Sequence, residues 1–532
     1  LNKLGGKAWE KVKTRAREAV REMAGELLTL YEARAAVEGH AFPPEDDLTR
    51  ELERRFPHQE TPDQLRAIDA VMEDMERPRP MDRLVCGDVG FGKTEIAMRA
   101  AFRAAAAGRQ SMILVPTTIL AQQHLATFRE RYEGMPVRLE MVSRFRTPAE
   151  TRDTLARFRS GEIDILIGTH RLLSMDVQPK DLGLVVVDEE QRFGVAQKES
   201  LRQLRLKVDV LAMSATPIPR KLQMSLSGLR DISVIETPPR GRKPVATHVG
   251  EYDESLVAEA LRREHERGGQ SYYLHNRVET IAQAAESVRA LVPGLGVATA
   301  HGRMPENELE EAMMAFARGE ADVLVATSII ESGLDIPQAN TLVVERADQL
   351  GLSQLYQIRG RIGRSDATAH AYLLYPDAAS LSRESAARLR ALADYTELGS
   401  GLRIAMRDLE IRGAGNLLGE EQHGHMEAFG FDLYCRLLEE TVAELQGGGG
   451  VAPLDVKIEL RLAAYLPDDY VGDPQQKMDL YRRLARIRRP ASLRHLREEF
   501  KDRYGVPPVA VENLLVIQRL RIQAGAQGIE EI

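Results

Sequence analysis

Cysteine is scarce in this sequence of 532 residues, which contains only Cys86 and Cys435. Two cysteines cannot build a disulfide framework, and neither of them lies in a CxxC-type metal cluster. The sequence also lacks any apolar run as long as the roughly 18 residues of a membrane span, and no signal-peptide pattern opens it. Basic residues do not outnumber acidic ones, and the net charge of −8 gives no uniformly basic surface for nucleic acid. These absences predict a soluble, cytoplasmic protein.

The length and composition are typical of a multidomain globular chain. Apolar residues make up 43% of the sequence and charged residues 29%, which is ordinary for folded soluble proteins. At roughly 100–200 residues per domain, the length predicts about three or four domains. The first residue is Leu1 rather than Met, so we expect the chain to begin inside a longer protein.

Two series of short β-rich runs, alternating with helical stretches, organise the middle of the chain. Such alternation predicts parallel sheets covered by helices on both faces. A break rich in Pro and Gly at 238–244 separates the series, so we predict two α/β lobes with a cleft between them. The first series predicts strands at Arg83–Cys86, Ser111–Val115, Ile163–Gly168, Leu184–Asp188 and Val210–Ser214. The second predicts strands at Gln270–His275, Gly296–Ala300, Asp322–Ala326, Thr341–Glu345 and Ala369–Tyr375.

The segments that flank the two series have a mostly helical pattern. Apolar residues recur at three- and four-residue steps from Lys7 to Glu38, which predicts a long helix that packs on the next domain or links two domains as a lever. The four-glycine run Gly447–Gly450 predicts a flexible linker. The predicted parts are a linking helix over 1–45, lobe 1 over 46–240, lobe 2 over 241–380, a helical hairpin with a loop over 381–446, and a small, partial α+β C-terminal domain over 451–532.

One glycine-rich segment carries the clearest chemical signal. Residues 87–94 read GDVGFGKT and fit the phosphate-binding pattern GxxxxGK[ST], between an apolar strand and a helix as the motif requires. Its glycines let backbone N–H groups approach phosphates at a helix N-terminus, where the helix dipole favours anions. Lys93 is predicted to reach the β- and γ-phosphates of a nucleotide, and the Thr94 hydroxyl to bind Mg²⁺. The predicted nucleotide-binding residues of the loop are Gly87, Gly90, Gly92, Lys93 and Thr94.

A second signal is the apolar strand Leu184–Asp188, which ends in acidic residues. The C-terminal edge of a parallel sheet is where Mg²⁺-binding carboxylates are presented. Asp188 is predicted to hold Mg²⁺ directly or through water, and Glu189 to orient and activate the attacking water. An acidic strand end alone is also typical of a surface turn, but here it follows the phosphate loop in the same predicted lobe.

Five segments, taken in order, resemble the motifs of superfamily 2 helicases and translocases. The resemblance covers roughly residues 50 to 375 and implies two RecA-like lobes with one ATP site between them. The segments that carry it are Thr61–Gln64, the phosphate loop 87–94, Asp188–Gln191, Ser214–Pro217 and Gln357–Arg364.

The resemblance also implies roles for individual residues. ATP bound to lobe 1 needs positive charge from lobe 2 to stabilise the transferring phosphoryl group, and Arg361 and Arg364 are the implied arginine fingers. Gln64 resembles the adenine-reading glutamine of the family. Phe56 either stacks on the base or is ordinary packing. The lobes would close on ATP and open after hydrolysis, and this cycle would move them in steps.

The predicted nucleic-acid track consists of polar residues that follow strands in both lobes. Hydroxyls and backbone amides at helix N-termini bind phosphates without reading bases, so we expect sequence-independent binding. Each of these residues taken singly is also a typical helix cap. Glu331, Ser332, Gly333 and Asp335 resemble the element that couples the track to the ATP site. The candidate contacts are Thr117, Thr118, Thr169, His170, Arg171, His301, Gly302, Arg303, Thr327 and Ser328.

Two further features narrow the resemblance to particular families within superfamily 2. The segment Arg403–Gly419 and the residues after it resemble the translocation motif shared by RecG enzymes and bacterial transcription-repair coupling factors, in which a helical hairpin and this loop help to move double-stranded DNA. Arg412 and Gln422 are the implied coupling residues, and an ordinary glycine turn after a helix is the alternative for Gly413–Gly415. The flanks resemble coupling factors more than RecG, because little chain precedes the phosphate loop and a sizeable tail follows Gln422.

The resemblance therefore implies an ATP- and Mg²⁺-dependent translocase motor whose partner is double-stranded DNA. In a longer coupling factor, such a motor would release RNA polymerase stalled at DNA damage and promote nucleotide excision repair. RNA polymerase and UvrA would bind through parts outside this chain. Two alternatives stay open, a RecG-like fork-regressing helicase and a nucleotide-switched module that binds DNA or polymerase. The linker Gly447–Gly450 also predicts a tail that docks on the motor and restrains it.

Overall fold

The computed structural model describes residues 37–144, 146–215, 231–332, 336–364 and 367–412, separate positions between 456 and 487, and then residues 490–527, 529 and 532. The chain divides into two compact units, Leu1–Val442 and Ala443–Ile532. The long helix predicted from Lys7 to Glu38 lies outside the described residues except for its last two positions, which are not helical. The predicted linker Gly447–Gly450 lies outside them as well. None of the helices in the described ranges combines the length and apolarity needed to span a bilayer.

Lobe 1 is built on a sheet of seven strands, and all of its pairings are parallel. The strands are β1 (Asp82–Gly87), β2 (Gln110–Leu114), β3 (Leu139–Val142), β4 (Ile165–Gly168), β5 (Leu182–Asp188), β6 (Asp209–Ser214) and β7 (Asp231–Ile235). Their order across the sheet is β3-β4-β2-β5-β6-β1-β7. Because parallel strands need crossover connections, helices run between them. The described helices are α1 (Asp47–Arg54), α2 (Pro62–Met75), α3 (Lys93–Ala106), α4 (Thr118–Arg131), α5 (Pro148–Ser160) and α6 (Val195–Leu204).

Lobe 2 repeats this architecture with six parallel strands. The strands are β8 (Ala246–Glu251), β9 (Gln270–Leu274), β10 (Val297–Ala300), β11 (Val323–Ala326), β12 (Ala339–Val344) and β13 (His370–Tyr375). Their order is β10-β11-β9-β12-β13-β8. The described helices are α7 (Glu254–Glu266), α8 (Ile281–Leu291), α9 (Glu306–Ala317) and α10 (Leu352–Arg359). The two sheets confirm the predicted pair of tandem α/β lobes.

Each sheet separates two apolar cores, because successive side chains of a strand point to opposite faces. In β2, Ile113 packs into the core that contains Phe102, whereas Met112 and Leu114 pack into the core that contains Phe158. Burial on both faces explains why the central strands are continuous apolar runs in the sequence. Within the same compact unit, Ile119 of α4 belongs to a core of lobe 2, so the lobes are in direct contact.

All ten predicted strands are present, and their ends agree with the prediction to within two residues. Three strands, β3, β7 and β8, are not among the predicted ones. These three strands are all edges of their sheets, where a strand has one neighbour and needs less apolar surface. In β8, three residues are exposed, three are partly buried and none is fully buried, which leaves no apolar run to detect.

Two helices follow lobe 2 inside the larger unit, α11 (Arg383–Asp394) and α12 (Gly401–Arg412), and both pack on α10 and on each other. The loop predicted after α12 lies outside the described residues. The smaller unit contains α13 (Pro490–Tyr504) and α14 (Val509–Ala526), which pack around Phe500. The strand part of the predicted α+β domain has no counterpart among the described residues of this unit. Six short 3₁₀ helices complete the described elements, at His170–Leu173, Glu190–Arg192, Val278–Thr280, Ser328–Ser332, Ala347–Gln349 and Ala378–Ser380.

Candidate active site and nucleic-acid cleft

The phosphate loop leads from Gly87, the last residue of β1, into α3 through a left-handed backbone. Gly90 has φ of +78°, and Gly92, which caps α3, has φ of +77°. Side chains other than glycine rarely adopt these values. A Cβ atom on Gly92 would also lie 2.5 Å from Nε2 of Gln64. The loop ends at the N-terminus of α3, where free N–H groups and the helix dipole favour a bound anion.

Lys93 is the first residue of α3 and folds back over the loop. Its Nζ atom donates hydrogen bonds to the carbonyl oxygens of Gly87 at 2.5 Å and of Asp88 at 2.9 Å. Burial lowers the pKa of the amine, while the charges of Glu189 and Asp188 act in the opposite direction. An anionic phosphate is a stronger acceptor than a carbonyl, so Lys93 is poised to exchange these bonds for a nucleotide. Thr94 follows it directly on α3 and is half-buried.

Gln64 connects the phosphate loop to α2. Its Nε2 atom donates to the carbonyl oxygen of Phe91 at 2.9 Å, and its Oε1 atom accepts from the backbone N–H of Thr61 at 2.7 Å. The second bond belongs to a capping box at the start of α2. Gln64 therefore fixes the loop against α2, and the reading of adenine by this residue stays a prediction.

Phe56 lies beside two buried arginines. The guanidinium carbons of Arg99 and Arg131 are 5.4 Å and 5.5 Å from the centre of its ring, which is within the range of cation–π attraction. Glu95 accepts hydrogen bonds from both arginines, at 2.9 Å from Arg99 and at 2.7 and 3.0 Å from Arg131. These contacts support the packing interpretation of Phe56, and its stacking on adenine stays a prediction.

Asp188 ends β5 and is bound by His124 of α4. The distance between His124 Nε2 and Asp188 Oδ2 is 3.2 Å. Burial by itself would raise the pKa of Asp188, but the hydrogen bond and charge of His124, together with Lys93 and Arg361, hold the pKa below its ordinary value. The carboxylate is therefore kept ionised beside the phosphate loop. His124 was missed by the sequence analysis, because a histidine inside a helix carries no motif signal.

Glu189 has the only positive φ among the described residues other than glycine, at +48°. Such strain persists where the surroundings impose it, and it clusters at functional sites. Gln191 donates a hydrogen bond from Nε2 to Oε2 of Glu189, and its Oε1 accepts from the Ser214 hydroxyl at 3.4 Å. Gln191 thus links the acidic strand end to the first residue of the predicted segment Ser214–Pro217. Thr216 and Pro217 lie outside the described residues.

Arg361 of lobe 2 is close enough to Lys93 and Asp188 of lobe 1 for its charge to affect them. It is only 5% exposed. Its positive charge contributes to lowering the pKa of Lys93 and of Asp188. Burial and the charge of Arg364 lower the pKa of Arg361 to about 10, and Glu189 opposes that shift. Arg361 therefore stays charged at neutral pH, and Arg364 is half-buried near it.

Arg242 is a further basic residue at this site that sequence reasoning missed. Its Nη1 atom donates to the carbonyl oxygen of Val89 in the phosphate loop, and its guanidinium carbon lies 5.6 Å from the centre of the Phe91 ring. The sequence predicts the Pro- and Gly-rich break at 238–244 only as a hinge between the lobes, since one arginine in such a linker matches no motif. Arg242 also lines a cavity between the lobes, together with Asp88 and Tyr356.

A second inter-lobe cavity brings together four of the predicted track residues. Its lobe 2 wall includes Glu310 and Met313 of α9. Arg144 crosses it, donating to the Thr118 hydroxyl at 3.3 Å and lying 3.7 Å from a carboxylate oxygen of Glu310. Thr117 also caps α4, accepting from the N–H of Leu120 at 3.3 Å. The track residues that line the cavity are Thr117, Thr118, Thr169 and His170.

The other predicted track residues do not line this cavity. Arg171 pairs with Asp176, and Arg303 with Glu279 at 2.6 Å, on exposed surfaces. Thr327 is 8% exposed, and its N–H donates to the carbonyl oxygen of Ala300. His301, Gly302 and Ser328 lie at the ends of β10 and β11. Arg412 is the last residue of α12, and Gln422, Gly333 and Asp335 lie outside the described residues.

Comparison with known proteins agrees with this geometry. Residues 61–225 match the DEAD/DEAH box helicase family and residues 253–366 the helicase conserved C-terminal domain. Residues 460–532 match the TRCF domain. The transcription-repair-coupling factor of Bacillus subtilis (strain 168) is 51% identical over 533 residues, which is 100% of this chain and 45% of that protein. The chain belongs to the transcription-repair-coupling factor family.

Two further similarities support this family assignment. The transcription-repair-coupling factor of Myxococcus xanthus is 50% identical over 522 residues, covering 98% of this chain and 44% of that protein. The chain thus spans about half the length of the coupling factors it matches. A solved structure of RecG bound to a three-way DNA junction is 33% identical, with a TM-score of 0.68, and covers 80% of this chain and 57% of RecG. The helicase-family matches make this coupling-factor segment a superfamily 2 helicase-type enzyme region and imply that it binds a nucleotide.

The described residues of this coupling-factor segment fit a nucleotide-bound Mg²⁺ ion. Asp188 offers an ionised carboxylate and Thr94 a hydroxyl at the phosphate loop, and Mg²⁺ favours such oxygens together with phosphates and water. No group of three or more His, Cys, Asp or Glu side chains in the described part could hold a metal alone.

Proposed function

We propose that this chain is an ATP-hydrolysing motor that translocates on double-stranded DNA. One observation supports this most strongly. Arg361 of lobe 2 is buried and lies close enough to Lys93 and Asp188 of lobe 1 for its positive charge to lower the pKa of both. A site assembled from two lobes is completed only when they close, which is what a motor needs to link hydrolysis to movement.

In this proposal, each residue at the site has a distinct task. Lys93 binds the β- and γ-phosphates, while Arg361, with Arg364 beside it, stabilises the charge that develops on the transferred phosphoryl group. Glu189 accepts a proton from the attacking water and aligns it, held in place by Gln191. Thr94 and Asp188 would hold Mg²⁺, which would neutralise charge on the phosphate oxygens. Opening of the lobes after hydrolysis would release ADP and phosphate.

Duplex DNA is the proposed track, bound across the inter-lobe cavity. The cavity presents hydroxyls and backbone amides at the starts of α4 and of the helix at His170–Leu173, with Arg144 between the lobes. Such groups bind phosphates irrespective of sequence. The acidic net charge of −8 is compatible with this, since a sliding motor needs local phosphate contacts rather than a uniformly basic surface.

In the longer coupling factor, we propose that this motor pushes on stalled RNA polymerase, releases it at DNA damage and promotes nucleotide excision repair through UvrA. The family membership supports this role. RNA polymerase and UvrA would contact parts of the protein outside this chain, and a cytoplasmic location follows from that role.

The test is steady-state ATP hydrolysis by this chain with and without duplex DNA. We expect duplex DNA to stimulate hydrolysis, and Lys93→Ala to reduce turnover by at least a hundredfold, as loss of a key electrostatic contact does. Displacement of a third DNA strand from a triplex would report movement. Hydrolysis that survives Lys93→Ala would contradict the assignment of the site.

A RecG-like fork-regressing activity is the second candidate, supported by the 33% identity and TM-score of 0.68 to RecG. Fork-regression and triplex-displacement assays on the same preparation separate the two. A coupling-factor motor is expected to displace the triplex without regressing the fork, and efficient regression by this chain would favour the second candidate.

A further inference from the structure

The carboxylate of Asp88 connects the phosphate loop to the start of α12. Asp88 Oδ2 accepts a hydrogen bond from the Tyr356 hydroxyl and another from the backbone N–H of Gly399, at 2.9 Å. Tyr356 lies on α10 of lobe 2, and Gly399 lies two residues before α12. Asp88 is 9% exposed. A residue inside the nucleotide-binding loop is therefore bonded to two elements beyond lobe 1.

Two glycines show how closely these segments approach each other. A Cβ atom on Gly401, the first residue of α12, would collide with Oδ1 of Asp88. A Cβ atom on Gly399 would collide with the carbonyl oxygen of Glu236, which precedes the hinge, and Gly399 has φ of +81°. The start of α12 thus fits directly against the phosphate loop and the hinge, with no room for a side chain at either position.

Tyr356 is held in place for this contact. The guanidinium carbon of Arg359 lies 5.0 Å from the centre of the Tyr356 ring. Arg359 also donates to the carbonyl oxygens of Leu392 at 3.0 Å and of Tyr395 at 2.8 Å, at the end of α11. The Ser353 hydroxyl on α10 donates to Oδ2 of Asp408 on α12 at 2.9 Å. Helices α10, α11 and α12 therefore form one bonded group that meets lobe 1 at Asp88.

The backbone of the same residue faces the nucleotide site. The carbonyl oxygen of Asp88 accepts from Lys93 Nζ at 2.9 Å. A nucleotide that takes Lys93 to its phosphates would break this bond, while the Asp88 side chain stays bonded to Tyr356 and Gly399. One residue thus responds to nucleotide through its carbonyl group and contacts α12 through its carboxylate.

We infer that Asp88 and Tyr356 are positioning residues that couple occupancy of the phosphate site to α12, the helix that ends at Arg412. This inference rests on the proposed motor function. It gives the motor a second connection, separate from Arg361, between the ATP site and the predicted translocation motif that begins in α12. A change at the phosphate loop would move the N-terminus of α12 directly through Asp88. The arginine fingers would not be needed to transmit the change. Loss of the connection would uncouple movement from hydrolysis rather than abolish hydrolysis.

Tyr356→Phe in the full chain is the sharpest test, because it deletes one hydroxyl and keeps the ring over Arg359. We expect basal ATP hydrolysis and binding of a fluorescent ATP analogue to stay within about twofold of wild type. The rate of triplex displacement per ATP hydrolysed is expected to fall roughly threefold to thirtyfold, the range for substitutions along coupling routes. Gly401→Ala, which pushes α12 away from Asp88, is expected to lower the same ratio.

Tyr372→Phe is the matched control, since its hydroxyl accepts from Arg263 at 2.7 Å elsewhere in lobe 2. It is expected to leave the ratio unchanged. An unchanged ratio in Tyr356→Phe, or an equal fall of hydrolysis and displacement, would overturn the inference. Absence of DNA-stimulated hydrolysis in the wild type would instead contradict the proposed function, so the two failures are distinguishable.

Discussion

His124 of α4 and Asp188 of β5 form a buried hydrogen-bonded pair, with 3.2 Å between Nε2 and Oδ2. Their side chains are 6% and 15% exposed. The imidazole therefore occupies one of the two carboxylate oxygens of Asp188. A metal-binding carboxylate held in this way is a common arrangement, because outer partners fix the orientation of the ligand.

Replacement of His124 by alanine is expected to shift the acidic limb of the pH–rate profile upwards. His124 helps to hold the pKa of Asp188 below its ordinary value, so without it the pKa rises. Because the ionised form of Asp188 is the one that would bind Mg²⁺ in the proposed mechanism, activity would then be lost at a higher pH as the solution is acidified. The measurement is kcat for DNA-stimulated ATP hydrolysis between pH 5 and 8, with the Mg²⁺ concentration for half-maximal activity at each pH.

Two further variants control this experiment. His124→Gln keeps an N–H donor at a similar reach and is expected to recover part of the activity. His265→Ala removes a histidine that is 3.0 Å from Asp322 on the surface of lobe 2, and it is expected to leave the profile unchanged. If the acidic limb of the pH–rate profile does not move in His124→Ala, the pKa of Asp188 does not depend on the contact with His124.

Arg361→Ala is expected to lower kcat for ATP hydrolysis by roughly a thousandfold or more, the usual effect of losing an arginine finger. ATP binding is expected to stay within a few-fold, because Lys93 and the phosphate loop remain. Arg361→Lys keeps the charge but not the planar donors, so only partial recovery is expected. Single-turnover hydrolysis and binding of a fluorescent ATP analogue separate the two steps.

Arg346→Ala serves as the control for loss of a lobe 2 arginine, since Arg346 pairs with Asp348 at 2.8 Å outside the site. A nucleotide-switched binding module would give a different result. In that case Arg361→Ala would retain ATP-dependent DNA binding and show little change in function, which would argue against a motor.

The lobes and the phosphate site could be predicted from sequence because their signals are local. The buried strands are continuous apolar runs, and the loop from Gly87 to Thr94 fixes its own backbone through glycine and the start of a helix. Asp188 and Glu189 follow one such strand directly. Their chemistry is therefore visible in a few consecutive residues.

The contacts between distant segments could not be predicted in the same way. Asp88 meets Gly399 across 311 positions of the chain, and neither residue has a pattern that names the other. His124 and Arg242 reach the site from a helix interior and a linker, where His and Arg are ordinary surface residues. Only the packing of the two lobes brings these groups together.

Gln64→Ala is expected to reduce the preference for ATP over GTP if Gln64 reads adenine as predicted. Deletion of the amide also removes the bond to the Phe91 carbonyl, so some loss of affinity for both nucleotides is expected. The informative quantity is the ratio of kcat/KM for ATP to that for GTP, which we expect to approach one. A parallel loss with an unchanged ratio would limit Gln64 to its structural role. Thr61→Ala, which removes the hydroxyl that caps the N–H of Gln64 at 3.3 Å, is the control for destabilisation of α2.

Asp209→Asn is expected to flatten the dependence of stability on pH. Burial raises the pKa of Asp209 to about 7, against about 3.9 in an unfolded chain. The native state therefore binds the proton more tightly, so its contribution to stability is full below about pH 4 and is lost as the pH rises through 7. The full linkage is on the order of 4 kcal/mol.

Asparagine keeps an oxygen for the backbone N–H of Met81, 2.7 Å from Oδ1 in the wild type, and cannot ionise. Thermal unfolding at pH 6 and pH 8 should show a smaller fall in Tm for Asp209→Asn than for the wild type. Asp322→Asn is the control, because Asp322 makes the equivalent bond to the N–H of Gly296 at 2.7 Å in lobe 2 but is partly exposed. If Tm falls equally in Asp209→Asn and in the wild type, the pH dependence of stability does not arise from the raised pKa of Asp209.

Thr169→Val is expected to weaken duplex DNA binding without affecting the fold. The Thr169 hydroxyl makes no capping bond to the short helix that follows it, although the residue lines the inter-lobe cavity. A hydrogen bond to a DNA phosphate would contribute about 1 kcal/mol, so the dissociation constant should rise roughly fivefold. Since phosphates carry no sequence information, the loss should be equal for unrelated duplexes of the same length at one salt concentration.

Thr117→Val provides the contrast, because the Thr117 hydroxyl already accepts from the N–H of Leu120 at 3.3 Å. Its replacement is expected to cost about 1 kcal/mol of stability as a lost helix cap, whereas Thr169→Val should unfold at the wild-type temperature. Fluorescence anisotropy with labelled duplexes and thermal unfolding measure the two effects separately. Wild-type affinity in Thr169→Val would remove Thr169 from the track, and a loss confined to one duplex sequence would contradict binding through phosphates.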